Sequence, residues 1–246
     1  MYLSVLLPSI LALGALYKKK ITLSGIIAAW LMGIIITYAG GIPAFIALAL
    51  TFILTILSDK LKKDKDDECR NIYQIFSNVL TACVCTILFY IKNADIFMVM
   101  YYAVIGSSLA DTFASSFGSL SKGEPRHPLT FKKMRKGESG AVSYLGVCAS
   151  ILAGFIIGAV YYVTTGYLTN YLIIILMGLL GAYFDSILGA YVQGKYQCKV
   201  CKKQVETPYH HDKECNLVKG LRFMNNDTVN LLNNVLVFII TYLLLK

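Results

Sequence analysis

Charge is what this 246-residue chain has least of: 15% of it is Asp, Glu, Lys or Arg, where soluble domains carry about a quarter. With 57% hydrophobic residues gathered in long blocks and a mean hydropathy of +0.62, that scarcity excludes a soluble globular domain. Acids are scarcer still, 14 in all, and only Asp111 and Asp185 fall well inside apolar runs. The pattern of a secretory leader is missing, because no basic residue precedes the first apolar run whereas Lys18, Lys19 and Lys20 follow it; the run is read as a first span. An even cysteine count is lacking too. Of the seven, Cys83, Cys85 and Cys148 lie in apolar runs suited to packing and Cys69 flanks one, which argues against a disulfide framework. The net charge of +9 comes from residues in short loops between apolar runs, where membrane topology accounts for it, so no nucleic-acid partner is expected.

What is present is a series of apolar blocks at about 2–17, 21–39, 43–59, 73–91, 96–118, 141–163, 170–193 and 228–245. At about 20 residues per crossing they predict eight spans. The fold class expected is therefore all-α, a polytopic transmembrane bundle forming one membrane domain over 1–246, with a loop at 194–224 inserted between the last two spans. Gly41-Ile-Pro43 and Lys92-Asn-Ala-Asp95 supply turns. Of the 23 lysines and arginines, all but Lys92 and Lys246 fall on one side of this arrangement, which assigns that side to the cytoplasm and both termini to the outside. The protein is expected in the cell membrane, in contact with the lipid bilayer, with its active site facing the cytoplasm; a homodimer stays open.

An aspartate inside a span is costly, so Asp111 and Asp185 are the first candidates for function. Their spans both run inward, and at about 1.5 Å per residue both carboxylates sit roughly 10–12 Å below the cytoplasmic surface. Two like charges at one depth call for a cation between them, most simply Mg²⁺, which also clamps phosphate oxygens. Ser107, Thr112, Ser115 and Ser186 offer hydroxyls nearby. Polar residues in other spans point to the same leaflet: Asn71, Gln74, Asn78 and Thr81 share one helical face, and Asn226, Asp227, Asn230, Asn233 and Asn234 open the last span. Small residues, Gly146, Ser150, Gly154 and Gly158 in one span and Gly178, Gly181 and Gly189 in the next, allow close helix approach. A polar cavity open to the cytosol follows. A proton- or ion-coupled transporter is the competing explanation of the same residues.

Two loops add chemistry. Lys122, Arg126, Lys132, Lys133, Arg135 and Lys136 precede Gly137-Glu-Ser139-Gly140, where Ser139 is read as the N-cap of the sixth span and the helix end as an anion site. Topology signalling and contact with anionic headgroups explain the same charges. The last loop holds Cys198, Cys201, His210, His211 and Cys215, a spacing suited to a closed structural Zn²⁺ site of three thiolates and one imidazole, with either histidine as the ligand. His127 stands alone and is read as a loop residue.

Ala110 through Gly118, Pro125-Arg126, Gly137 through Ser143, Gly181 through Gln193 and Asn225 through Asn230 resemble the integral membrane family of transmembrane protein nineteen and the plant phytyl-phosphate kinase (domain of unknown function ninety-two). Arg70 through Asn78 is similar to that family's earlier polar helix. The family often has a glutamate where this chain has Ser116. The resemblance implies nucleotide-dependent phosphoryl transfer to an isoprenoid monophosphate, in a wider group similar to dolichol kinase and phosphatidate cytidylyltransferase, which use CTP. On that basis Asp111 and Asp185 are expected to hold Mg²⁺ against the nucleotide phosphates. Arg126, Lys133, Arg135, Lys136 and the Gly137–Gly140 turn would bind the phosphate tail, with Asn78, Asn226, Asp227 and Asn230 orienting the acceptor or metal waters. A cytidylyltransferase forming a CDP-lipid would use the same residues.

Overall fold

The computed structural model describes residues 2–18, 21–61 and 69–246. Lys19 and Lys20, which follow the first apolar run, and the basic residues at 62–68 lie outside the described residues. Seven helices form the body: α1 (Tyr2–Lys18), α2 (Leu23–Asp59), α3 (Ile72–Lys92), α4 (Ile96–Gly118), α5 (Tyr144–Thr165), α6 (Leu168–Tyr191) and α7 (Asn226–Leu245). Among the described residues six of them, α2 to α7, are long and apolar enough to cross a membrane, and α1 is a shorter apolar helix.

Helix α2 joins two of the expected spans. Its 37 residues would extend about 55 Å if straight. Yet both ends meet one residue: the Thr22 amide donates to the Arg70 carbonyl at 2.9 Å, and Arg70 Nη2 donates to Asp59 Oδ2 at 2.6 Å. The helix must therefore fold back, and it does so at Gly41, whose φ of 77° suits glycine and few other residues. Pro43 follows, early in the second arm, where the proline's missing amide hydrogen is not needed by the helix. Each of the eight apolar blocks thus has its own helical segment, blocks two and three being antiparallel arms of α2.

Helix α4 is the axis of the bundle. Val99 through Ala110 is an unbroken buried run, as expected of a helix enclosed on all sides, and α4 packs against α2, α3, α5, α6 and α7. The buried Tyr101 hydroxyl donates to the Ala44 carbonyl at 2.6 Å, fixing α4 to the second arm of α2. Asn234 of α7 donates to the Ser77 carbonyl of α3 at 2.9 Å and accepts from Ser108 of α4 at 3.1 Å. These bonds gather the starts of α3 and α7 and the last half of α4 at one end, the end that also carries the 119–143 and 192–225 connections. Asn71 and Gln74, expected as part of a polar stripe, form a reciprocal cap at the start of α3 instead, because the first turn has unsatisfied amides that those side chains accept.

Candidate functional site

Asp111 and Asp185 come together. Their side chains, on α4 and α6, are within hydrogen-bonding reach of one another. The approach is set one turn deeper, where Ser107 and Gly181 each sit four residues before their aspartate and so share its face. A Cβ on Gly181 would stand 2.6 Å from Ser107 Cβ and 3.2 Å from Val237 of α7, so only a glycine lets the three helices close. Asn233 of α7 donates to Ser107 Oγ at 3.4 Å. Two acceptors here, Asp185 Oδ1 and Asn233 Oδ1, are buried with no hydrogen-bond partner. Buried oxygens are rarely left so. Asn230 and Asp227 follow Asn233 at three-residue intervals along the same face of α7 toward the loop end; Asn226 is exposed beyond them. Asn78 of α3 donates to the Gln74 carbonyl at 2.8 Å, and its own carbonyl accepts from Ser108 of α4 at 3.3 Å.

A polar roof closes the loop end of this pair. Gly140, at φ 81°, presses on α6 so closely that a Cβ would stand 2.7 Å from Ala190 Cα and against the carbonyl of Ser186, the residue after Asp185. Ser139 Oγ donates to Gln193 Oε1 at 2.8 Å, and Gln193 Nε2 donates to Glu206 at 2.9 Å. Lys195, only 3% exposed, pairs with Glu138 at 3.2 Å and donates to the Ser139 carbonyl at 3.0 Å. Glu206 in turn lies within electrostatic reach of Asp185. Lys195 and Glu206 were not among the residues singled out from sequence, and Gln193 entered only as the last residue of the Gly181–Gln193 stretch.

Ser139 does not cap a helix. Arg126 and Val142 exchange both backbone hydrogen bonds at 2.7 and 2.8 Å, which holds the chain extended through 142 and moves the N-cap to Ser143. The start of α5 then packs on the last turns of α4, with a Cβ at Gly146 meeting the Ala114 carbonyl at 2.8 Å, so the free amides of α5 still open within two turns of Asp111. Around it, Lys133 pairs with Glu124 at 2.6 Å, holding that carboxyl below the ordinary range, and Lys136 donates to the Ser121 carbonyl at 2.7 Å. Arg126 and Arg135 are exposed. Tyr183 donates to the Pro128 carbonyl and the His127 ring stands edge-on to Tyr191, so this basic loop is folded over the end of α6. His127 is a loop residue that accepts from the Leu129 and Thr130 amides.

The last loop forms two hairpins. Strands β1 (Lys195–Gln197), β2 (Gln204–Val205) and β5 (Asn216–Lys219) make one sheet in the order β2-β1-β5, and β3 (Tyr209–His210) pairs with β4 (Lys213–Glu214). The ligand atoms of Cys198, Cys201, His210 and His211 all lie within 4.8 Å of one another, with Cys201 Sγ 3.6 Å from His210 Nδ1. Hydrogen bonding from the Cys201 amide, reinforced by His210 and the Val200 amide, holds the Cys198 thiol at about 6, which favours the thiolate a metal needs. Cys215, the third expected thiol, is buried beside Cys198 rather than within that group of four, and burial pushes its pKa up.

An all-α membrane bundle with a paired carboxylate site under a basic rim defines a class, and comparison supplies the family. Residues 6–238 match the integral membrane protein family DUF92, and the chain belongs to it. It is 30% identical to the uncharacterized membrane protein MJ0933 of Methanocaldococcus jannaschii over 79% of this chain and 84% of that protein. Protein PGR of Arabidopsis thaliana is 29% identical over 97% of this chain and 93% of its own length. The chloroplastic protein VTE6 of the same plant is 25% identical over 85% of this chain and 61% of its length. No solved structure matches.

Proposed function

We propose that the protein transfers the terminal phosphoryl group of a nucleoside triphosphate, CTP in the first instance, to an isoprenoid monophosphate at the cytosolic face of the cell membrane. The observation that carries this is the meeting of Asp111 and Asp185 with a buried, unpartnered Asp185 oxygen. Family membership and the resemblance to the plant phytyl-phosphate kinase support the substrate class. A phosphate oxygen of the lipid attacks the γ-phosphorus as the bond to the β–γ bridging oxygen breaks, leaving an isoprenyl diphosphate and a nucleoside diphosphate. The attacking group is already an anion, so no strong general base is required and the Ser116 position is tolerated.

The residues present suit Mg²⁺: Asp111 and Asp185 would hold it, with Asn230 and Asp227 of α7 near enough in register to orient bound water. Such an ion would neutralise charge gathering on the phosphoryl oxygens. The α5 N-terminus and Arg126, Lys133, Arg135 and Lys136 attract the triphosphate to this end of the bundle. Cys198, Cys201 and His210, with His211 or Cys215 completing four ligands, hold a structural Zn²⁺ that fixes the loop carrying Gln193, Lys195 and Glu206.

The test is product analysis with CTP labelled at either the α or the γ position and geranylgeranyl monophosphate as acceptor. Label reaching the lipid from the γ position alone supports the proposal. Label from the α position with release of pyrophosphate identifies a cytidylyltransferase, and transfer from neither position removes the enzyme assignment.

A further inference from the structure

Beside the acidic pair, on the other flank of α4, lies a cavity of about 100 Å³, part of it open to the outside. Its walls come from α1, both arms of α2, α3 and α4, and its chemistry is sorted by depth. Leu11, Ala29, Gly33, Phe45, Leu48 and Phe52 make the deep part apolar. Arg70, Gln74, Asn78 and Thr112 gather at the end that carries the basic loops. From Phe45 to Thr55 the second arm of α2 covers about 15 Å along this cavity.

We propose that this cavity holds the hydrocarbon tail of a single-chain isoprenoid monophosphate, with its phosphate drawn to Arg70. An apolar chamber with one cationic end matches an amphiphile with one anionic end. Arg70 lines that end, its side chain 27% exposed and paired with Asp59 at 2.6 Å; the donors of its fork beyond that bond suit a phosphate. Continuity with the acidic site decides the orientation. Thr112, at the polar end, is the chain neighbour of Asp111, and consecutive Cα atoms are about 3.8 Å apart. Helix α4 is thus a shared wall: Ser108 and Thr112 face the chamber while Ser107 and Asp111 face α6 and α7. This rests on the phosphoryl-transfer proposal for the identity of the lipid, but its test does not use turnover.

Binding of geranyl monophosphate, geranylgeranyl monophosphate and geranylgeraniol is measured by equilibrium titration of the full-length protein in detergent. Ala29→Phe fills the chamber; it is expected to weaken geranylgeranyl monophosphate about tenfold while geranyl monophosphate stays near the parent value. Arg70→Gln is expected to weaken both phosphates about tenfold and leave the alcohol unchanged. Asp59→Asn, which removes the ion pair but keeps the guanidinium, is expected to bind both phosphates as the parent does. Equal binding of both chain lengths by Ala29→Phe and the parent overturns the proposal, as does an Arg70→Gln loss shared by the alcohol or reproduced by Asp59→Asn. If binding follows the expected pattern while no label is transferred from CTP, the chamber stands and the transfer proposal falls; if label is transferred and Ala29→Phe binds as the parent, the reverse holds.

Discussion

Gly137 and Gly140 share a left-handed backbone, φ 79° and 81°, and differ in what surrounds them. Nothing lies within 4 Å of a Cβ built on Gly137, whereas one on Gly140 stands 2.7 Å from Ala190 Cα and against the Ser186 carbonyl. Alanine at either position meets the same conformational penalty, about 1–2 kcal/mol before the stiffer unfolded chain offsets part of it, so Gly137→Ala is expected to lose about 1 kcal/mol. Gly140→Ala adds overpacking against backbone that cannot rotate away, about 1–3 kcal/mol more, for about 2–4 kcal/mol in total. The added strain falls on Ser186, next to Asp185, and on the Ser139–Gln193 bond. Unfolding in detergent read by intrinsic fluorescence measures the first difference, and transfer from γ-labelled CTP measures the second. Gly137→Ala should keep most of its activity and Gly140→Ala should lose far more than its stability change explains. Equal losses at the two glycines would refute the packing of this turn onto α6.

The buried ion pair in the roof is asymmetric. Glu138→Gln leaves Lys195, whose side chain is 4% exposed, with only the Ser139 carbonyl and the nearby Glu206, and is expected to cost about 2 kcal/mol; Lys195→Met frees a Glu138 already 27% exposed and should cost about 1 kcal/mol, a contrast readable by denaturant unfolding. Elemental analysis should find about one zinc per chain, lost in Cys198→Ser; comparing Cys215→Ser with His211→Ala identifies the fourth ligand by which variant sheds metal. Because the Cys198 thiol sits at about 6, below its ordinary value, it is mostly thiolate at pH 7, so zinc should be held at that pH and lost only at a pH well below 6. Zinc retained in Cys198→Ser counts against the site.

Much of the bundle was legible because its signals are local. Apolar blocks mark the helices whatever their neighbours, the glycine and proline at 41 and 43 mark the reversal in α2, and a simple rise per residue puts Asp111 and Asp185 at one depth, where the structure has their side chains meeting. What sequence missed depends on contacts between distant residues. The N-cap moved from Ser139 to Ser143 because Val142 pairs with Arg126, sixteen residues earlier in the chain. The roles of Gln193 and Lys195 arise from bonds to the 138–139 turn, and that of Glu206 from its bond to Gln193, which no local pattern announces.

The central claim is that Asp111 and Asp185 act together on a phosphoryl group. Its most direct test is γ-phosphoryl transfer by Asp111→Asn and Asp185→Asn, each measured beside its thermal unfolding in the same detergent. The expected result is a loss of more than about 100-fold in either variant, with both still folded. Transfer at the parent rate by a folded variant of either aspartate would contradict it.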